Sequence, residues 1–152
     1  MKIYGIARIQ LTISQVNFDE SAAFYHALMA DFFEGKLIVD HPDLRYWVAG
    51  TMAFAIIRSS DRRRERASQD RVGLHHVCFR ARSRKDVDRA AAFVRLFGDN
   101  VVFGPGERPY APGAYAVEFT DADGIHMEIS HFPGKGYLDE TITIPIPRPQ
   151  PR

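Results

Sequence analysis

Arg8-Ile9-Gln10-Leu11-Thr12-Ile13 alternates polar and apolar residues without a break, and His76-Val77-Cys78-Phe79-Arg80 repeats the alternation further along the chain. A period of two predicts a strand with one buried and one polar face. Each stretch is followed by the same order of signals. After the first, Asn17-Phe18-Asp19-Glu20-Ser21 opens a helix with acidic residues in its first turn, and Phe24, Leu28 and Phe32 line one side of it. Strand-like runs then cover 35–39, 44–48 and 52–58, with Ala49-Gly50 as the turn between the last two. After the second, Ser83-Arg84-Lys85-Asp86 opens a helix carrying Val87, Ala91, Val94 and Phe97 and stopping at Gly98. Strands follow over 100–103, 114–120 and 125–130, the last two joined by Asp121-Ala122-Asp123-Gly124.

A shift of 68 residues lays Arg8 on His76, Tyr25 on Phe93 and Leu28 on Leu96. The expected fold is therefore α+β: two βαβββ modules whose mixed sheets curve into a cup. A first module over about 5–60, a linker over 61–71 and a second module over about 72–132 make one domain of residues 1–132. The Pro- and Gly-rich remainder, 133–152, reads as a disordered tail or an extended arm.

With 152 residues, 45% hydrophobic and 26% charged, the chain is ordinary globular material with a sizeable core. Its 20 Lys and Arg balance 19 Asp and Glu, which gives no general footprint for nucleic acid. The cluster Arg62-Arg63-Arg64, with Arg66 and Arg71, reads as a solvated linker. One cysteine excludes an intrachain disulfide. No apolar run nears the roughly 20 residues that span a membrane, and the start has no signal-peptide pattern. A cytoplasmic protein is expected.

Strand parity locates the candidate site. With the apolar faces on the helices, the opposite faces gather Arg8, Gln10, His76, Arg80, Glu118, His126 and Glu128. Met52, Phe54 and Ile56 are expected to wall the same cup, with Trp47 either beside them or in the core. Tyr110, between Pro109 and Pro112, sits in a loop suited to cover the mouth. A cup with apolar walls and a few convergent polar groups is the usual form of a small-molecule site. His75, next to His76, is expected to face away from it, and Cys78 to face in.

Residues 8–25, 73–84 and 109–131 resemble the glyoxalase/bleomycin-resistance/dioxygenase family, the vicinal oxygen chelate proteins. The pieces that carry this are Leu11-Thr12-Ile13-Ser14 leading to Ser21-Ala22-Ala23-Phe24-Tyr25, then Gly73-Leu74-His75-His76-Val77, and Asp121-Ala122-Asp123-Gly124 leading to Glu128. The resemblance implies paired βαβββ modules, a divalent metal (Fe, Mn, Zn or Ni), a small-molecule ligand or substrate, and a homodimer. It assigns metal-ligand positions to His76 and Glu128, and places Arg8 and Ile56 where the other ligands stand.

Arginine offers no lone pair. Two readings follow, the first preferred. In one, Arg8 takes the metal's place, pairs with Glu128 or Glu118, and binds or polarises a substrate oxygen. In the other, His126 or Gln10 completes a metal set with His76 and Glu128. The implied activity is an isomerase, lyase or dioxygenase-like reaction on a small oxygenated organic molecule. Arg8, Glu118 and His126 are then the catalytic groups, and Gln10, Trp47, Phe54, Ile56, Arg80 and Tyr110 the substrate-binding ones. The alternative is a drug- or metabolite-binding resistance protein without chemistry.

Overall fold

The computed structural model describes residues 5–63, 65–97, 100–109 and 111–135. Tyr110, the helix stop at Gly98 and most of the tail therefore lie outside the described residues. The chain divides into two compact units, residues 1–67 with 121–125, and residues 68–120 with 126–152. Among the described residues no helix is long and apolar enough to cross a membrane.

The first unit runs β1 (Arg8–Ile13), α1 (Phe18–His26), β2 (Lys36–His41), β3 (Leu44–Ala49) and β4 (Met52–Arg58). Its sheet order is β1-β4-β3-β2, with β1 parallel to β4 and the other pairs antiparallel. A parallel pair needs a long crossover, and α1 with the β2–β3 hairpin supplies it. Alternation along β1 buries Leu11 and Ile13 while Arg8, Gln10 and Thr12 stay exposed. Past His26 the helix widens into a π-helical segment, Ala27–Phe32, that buries Leu28 and Met29.

In-register partners share a sheet face, so Ile9 and Leu11 lie beside Phe54 and Ile56, and Trp47 lies beside Phe54. Phe54 packs on Tyr25 of α1, with ring centroids 5.2 Å apart, and Trp47 packs on His26 at 6.3 Å. Trp47, Phe54 and Ile56 therefore belong to the helix-facing core. This corrects the expectation that Phe54 and Ile56 wall a cup with Arg8 and Gln10, and of the two positions expected for Trp47 it leaves the one in the core. The β4 residues that do share that face are Ala53, Ala55 and Ile57, so Ile56 does not stand on the face that carries Arg8. The run 52–57 is apolar throughout, so composition alone cannot say which set points inward.

The turn Asp121–Ile125 also belongs to this unit. Asp121 Oδ1 accepts from the backbone N–H groups of Asp123 (3.0 Å) and Ile125 (2.8 Å), while Oδ2 accepts from the Tyr25 hydroxyl at 2.8 Å. Burial pushes the Asp121 carboxyl up to about 6, against the pull of those donors. In an unfolded chain it would titrate near 3.9. Between these values the native state holds the extra proton, so stability from this group is full below about pH 4 and lost as pH rises through about 6. Asp121→Asn removes the titration. Urea unfolding should show the variant gaining on the wild type by on the order of 3 kcal/mol between pH 4 and pH 7. A difference that stays constant with pH would refute a desolvated carboxylate here.

The second unit runs β5 (Val77–Arg80), α2 (Arg84–Leu96), β6 (Val101–Glu107), β7 (Tyr115–Thr120) and β8 (His126–His131). Its order, β5-β8-β7-β6, copies that of the first sheet, again with one parallel pair, β5 with β8. Ser83 caps α2 by accepting from the Asp86 N–H at 3.2 Å. Val87, Ala90, Ala91 and Val94 are buried, whereas Phe97, just past the helix, is 40% exposed. Val77, Phe79, Val117, Phe119, Met127 and Ile129 form the buried face of the sheet.

Candidate functional site

Register assembles the site on the other face of the second sheet. Cys78 lies opposite Glu128 and Arg80 opposite Ser130. Glu118 lies opposite Glu128 and Thr120 opposite His126. His76, one residue before β5, reaches the same face, with its ring centroid 6.2 Å from that of His126.

Two histidine–carboxylate pairs result. His76 Nε2 lies 3.2 Å from Glu128 Oε2, and the Ser130 hydroxyl donates to Glu128 Oε1. His126 Nε2 lies 3.1 Å from Glu118 Oε2, and Arg108 Nη2 pairs with Glu118 Oε1. Arg108 is held in turn by Phe103, whose ring centroid is 3.4 Å from the guanidinium carbon. The Arg108, Glu118 and His126 side chains are 18%, 18% and 11% exposed, so this triad is not a solvent-screened surface pair.

Burial holds both imidazoles below the ordinary histidine value; neighbouring histidines and Arg108 push the same way, and Glu128 pushes back. Both are thus neutral at pH 7. Cys78 is exposed as a residue, but its sulfur lies 3.4 Å from Ser130 Oγ, and loss of water around it pushes the thiol up to about 11. A thiol protonated at neutral pH is a poor nucleophile.

Arg108 is the group that sequence parity missed. Between Phe103 and Gly106 the β6–β7 register shifts. Gly104 takes a φ of +79°, and a Cβ there would collide with the Ala116 carbonyl. Past such a bulge, alternation no longer tells which face a side chain takes. His75 was misplaced for a related reason. Neither it nor His76 lies in β5, so parity does not apply, and its Nδ1 sits 2.7 Å from His76 Nδ1. That corrects the expectation that it faces away.

Arg80 is exposed and donates to the Gly134 carbonyl. Arg8 and Gln10 are on the polar face of β1, in the other unit. The partners expected for Arg8 are engaged within the second unit, Glu118 by Arg108 and Glu128 by His76 and Ser130.

A sequence profile of the Glyoxalase/Bleomycin resistance protein/Dioxygenase superfamily matches residues 6–129, and the chain belongs to that superfamily. A comparison with curated protein sequences gave no match. Among solved structures, a glyoxylase/bleomycin resistance protein/dioxygenase domain from Frankia sp. EAN1pec is 19% identical, with 86% of this chain and 98% of that one aligned at a TM-score of 0.68. The genomically encoded fosfomycin resistance protein FosX of Listeria monocytogenes is 16% identical over 90% of this chain and 97% of that one, with a TM-score of 0.63. A lactoylglutathione lyase from Agrobacterium tumefaciens is 18% identical over 86% and 96%, at 0.60. At these identities the likeness is one of fold.

The donor set decides how far a divalent metal fits. Bonds of about 2.1 Å at right angles place two ligand atoms about 3 Å apart. The 3.2 Å between His76 Nε2 and Glu128 Oε2 suits two ligands of one ion. Among the described residues no group of three His, Cys, Asp or Glu side chains could hold one, and Glu118 and His126 are turned to each other. A third ligand would have to be of another type.

Proposed function

We propose that this chain is an enzyme that moves a proton on a small oxygenated organic molecule, as an isomerase or lyase does, at the polar face of its second sheet. The observation that carries this is the Arg108–Glu118–His126 triad beside the His76–Glu128 pair. A neutral imidazole that faces a carboxylate through Nε2 carries its proton there and keeps the lone pair on Nδ1. Glu118 thus makes His126 Nδ1 the base, and Arg108, paired with the other oxygen, fixes Glu118. The rotamer and tautomer of His126 are set before substrate arrives, which is the condition for efficient general-base catalysis.

His76 and Glu128 would offer two ligands to a divalent ion, and that ion would supply Lewis-acid stabilisation of an enolate oxygen. The Listeria FosX structure, described as a complex with Mn(II) and sulfate, supports the comparison. Arg80, on the same face, is suited to hold a substrate carboxylate or hydroxyl. A homodimer in a reducing cytoplasm is part of the same reading, supported by the family resemblance and the single cysteine.

The test is proton exchange. Hydroxyacetone, lactaldehyde and a series of 2-oxo acids are incubated with the protein and Mn(II) in deuterated water and followed by proton NMR. Loss of an α-proton signal well above the protein-free rate is the expected result. Compounds that bind yet keep their protons throughout would replace the enzyme with a binding protein.

A further inference from the structure

Arg80 and Arg108 both reach the polar face of the second sheet, and they differ in what holds them. Arg108 is paired with Glu118 and stacked on Phe103. Arg80 is exposed and, among the described residues, pairs with no carboxylate; its Nη2 donates to the backbone carbonyl of Gly134. A carboxylate that takes the place of that neutral carbonyl gains a charge-assisted, bidentate contact. Arg80 is thus a cation open to an anionic ligand, and its register fixes how far that anion lies from the proposed base. Arg80 stands opposite Ser130, and Ser130 is four residues beyond His126 on β8. At about 3.3 Å per residue and about 4.8 Å between strands, the Arg80 and His126 Cα atoms are roughly 14 Å apart. Side chains stand nearly perpendicular to a sheet, so their heads keep most of that separation, on the order of 10 Å. The open ground between them runs along β5. Glu128, Ser130 and Ala116 are 5%, 0% and 0% exposed, whereas Cys78, between His76 and Arg80, is exposed and offers a small, weakly polar surface.

We infer that the substrate carries its carboxylate far from the reacting carbon: Arg80 anchors the anion, an uncharged chain crosses Cys78, and the carbonyl with its acidic proton reaches His126. The inference rests on the reading of His126 as the base and of Arg80 as the anion holder, and it makes Arg80 a specificity-determining residue. The chemistry stays that of proton transfer, with the proton passing to His126 and the electron pair of the broken C–H bond to the carbonyl oxygen. A 2-oxo acid places its carboxyl carbon about 2.5 Å from the carbon that loses the proton, since each C–C bond is about 1.5 Å long. It cannot meet both groups at once. An extended chain advances roughly 1.3 Å per bond, so about six methylenes between ketone and carboxylate span the gap.

The test gives the full chain a series of methyl-ketone acids, from acetoacetate and levulinate to members with about six and about eight methylenes between ketone and carboxylate. Binding is read by saturation-transfer proton NMR, and turnover by exchange of the methyl protons in deuterated water. Affinity should rise along the series by about 10-fold and level off near the six-methylene member, where the carboxylate first reaches the guanidinium. In Arg80→Gln the rise should vanish. Arg80→Lys, which keeps the charge and loses the planar fork, should retain part of it. Equal affinity along the series, a rise that Arg80→Gln leaves in place, or no binding by any member overturns the inference. Long acids that bind through Arg80 and exchange no protons support the anchor and overturn instead the role of base given to His126.

Discussion

His126→Asn should lower proton exchange on any substrate the enzyme turns over by about 10²- to 10⁴-fold, with little change in substrate affinity. Asparagine keeps the ring's volume near the strand, but it does not reach Glu118 as Nε2 does and has no basic nitrogen. Glu118→Gln should cost less, about 10- to 100-fold. His126 remains, yet its tautomer is no longer imposed and Arg108 loses its counter-charge. The order of the two effects is diagnostic. Were Glu118 itself the base, its variant would be the more damaged of the two. The pH profile gives a second, independent sign. The base works only when neutral, and burial holds His126 below the ordinary histidine value. The acid limb should therefore fall at a pH below about 6.5, with activity retained above it. Circular dichroism of His126→Asn should match the wild type, which separates the loss of the base from a loss of fold.

How much of this could be read beforehand depended on whether a segment alternates. β1 begins and ends where its polar–apolar pattern does, at Arg8 and Ile13. Along β7 and β8 the same regularity places Glu118, His126 and Glu128 on one face. Where alternation stops, residue type no longer fixes direction. β4 is apolar at six successive positions, and only pairing with β1 shows that Phe54 and Ile56 point to the helix. The bulge at Gly104 hid Arg108, which supplies the fixed cation that the sequence had suggested in Arg8. Hydrogen-bond direction is a further kind of information. The pairing of two adjacent histidines through like nitrogens depends on backbone angles just outside a strand, which no periodicity encodes.

The turn Asp121-Ala122-Asp123-Gly124, the most family-specific stretch of sequence, carries the second large effect, and it is one of stability. Asp123 is 5% exposed. Its carboxylate accepts from the Ser14 N–H, the Ser14 hydroxyl and the Asn17 amide, each at 2.6 Å. These short, charge-assisted bonds sit at the start of α1. Asn17 stands at the N-cap but makes no side-chain cap bond, because its amide is turned to Asp123 and to the Ala122 carbonyl. The anion favoured at this helix N-terminus therefore comes from a turn more than 100 residues away in sequence. Asp123→Ala leaves three donors without that acceptor, at a cost of about 2–4 kcal/mol once water has partly replaced it. For a chain of this size, that is a fall in melting temperature of roughly 5–15 °C. Asp123→Asn keeps one oxygen for the Ser14 N–H and should lose about half as much. Calorimetry on both variants distinguishes this from a loosely held loop, for which either substitution would move the midpoint by no more than about 1–2 °C. Because none of the three donors belongs to the proton-transfer groups, the folded Asp123→Asn protein should keep the wild-type response to His126→Asn.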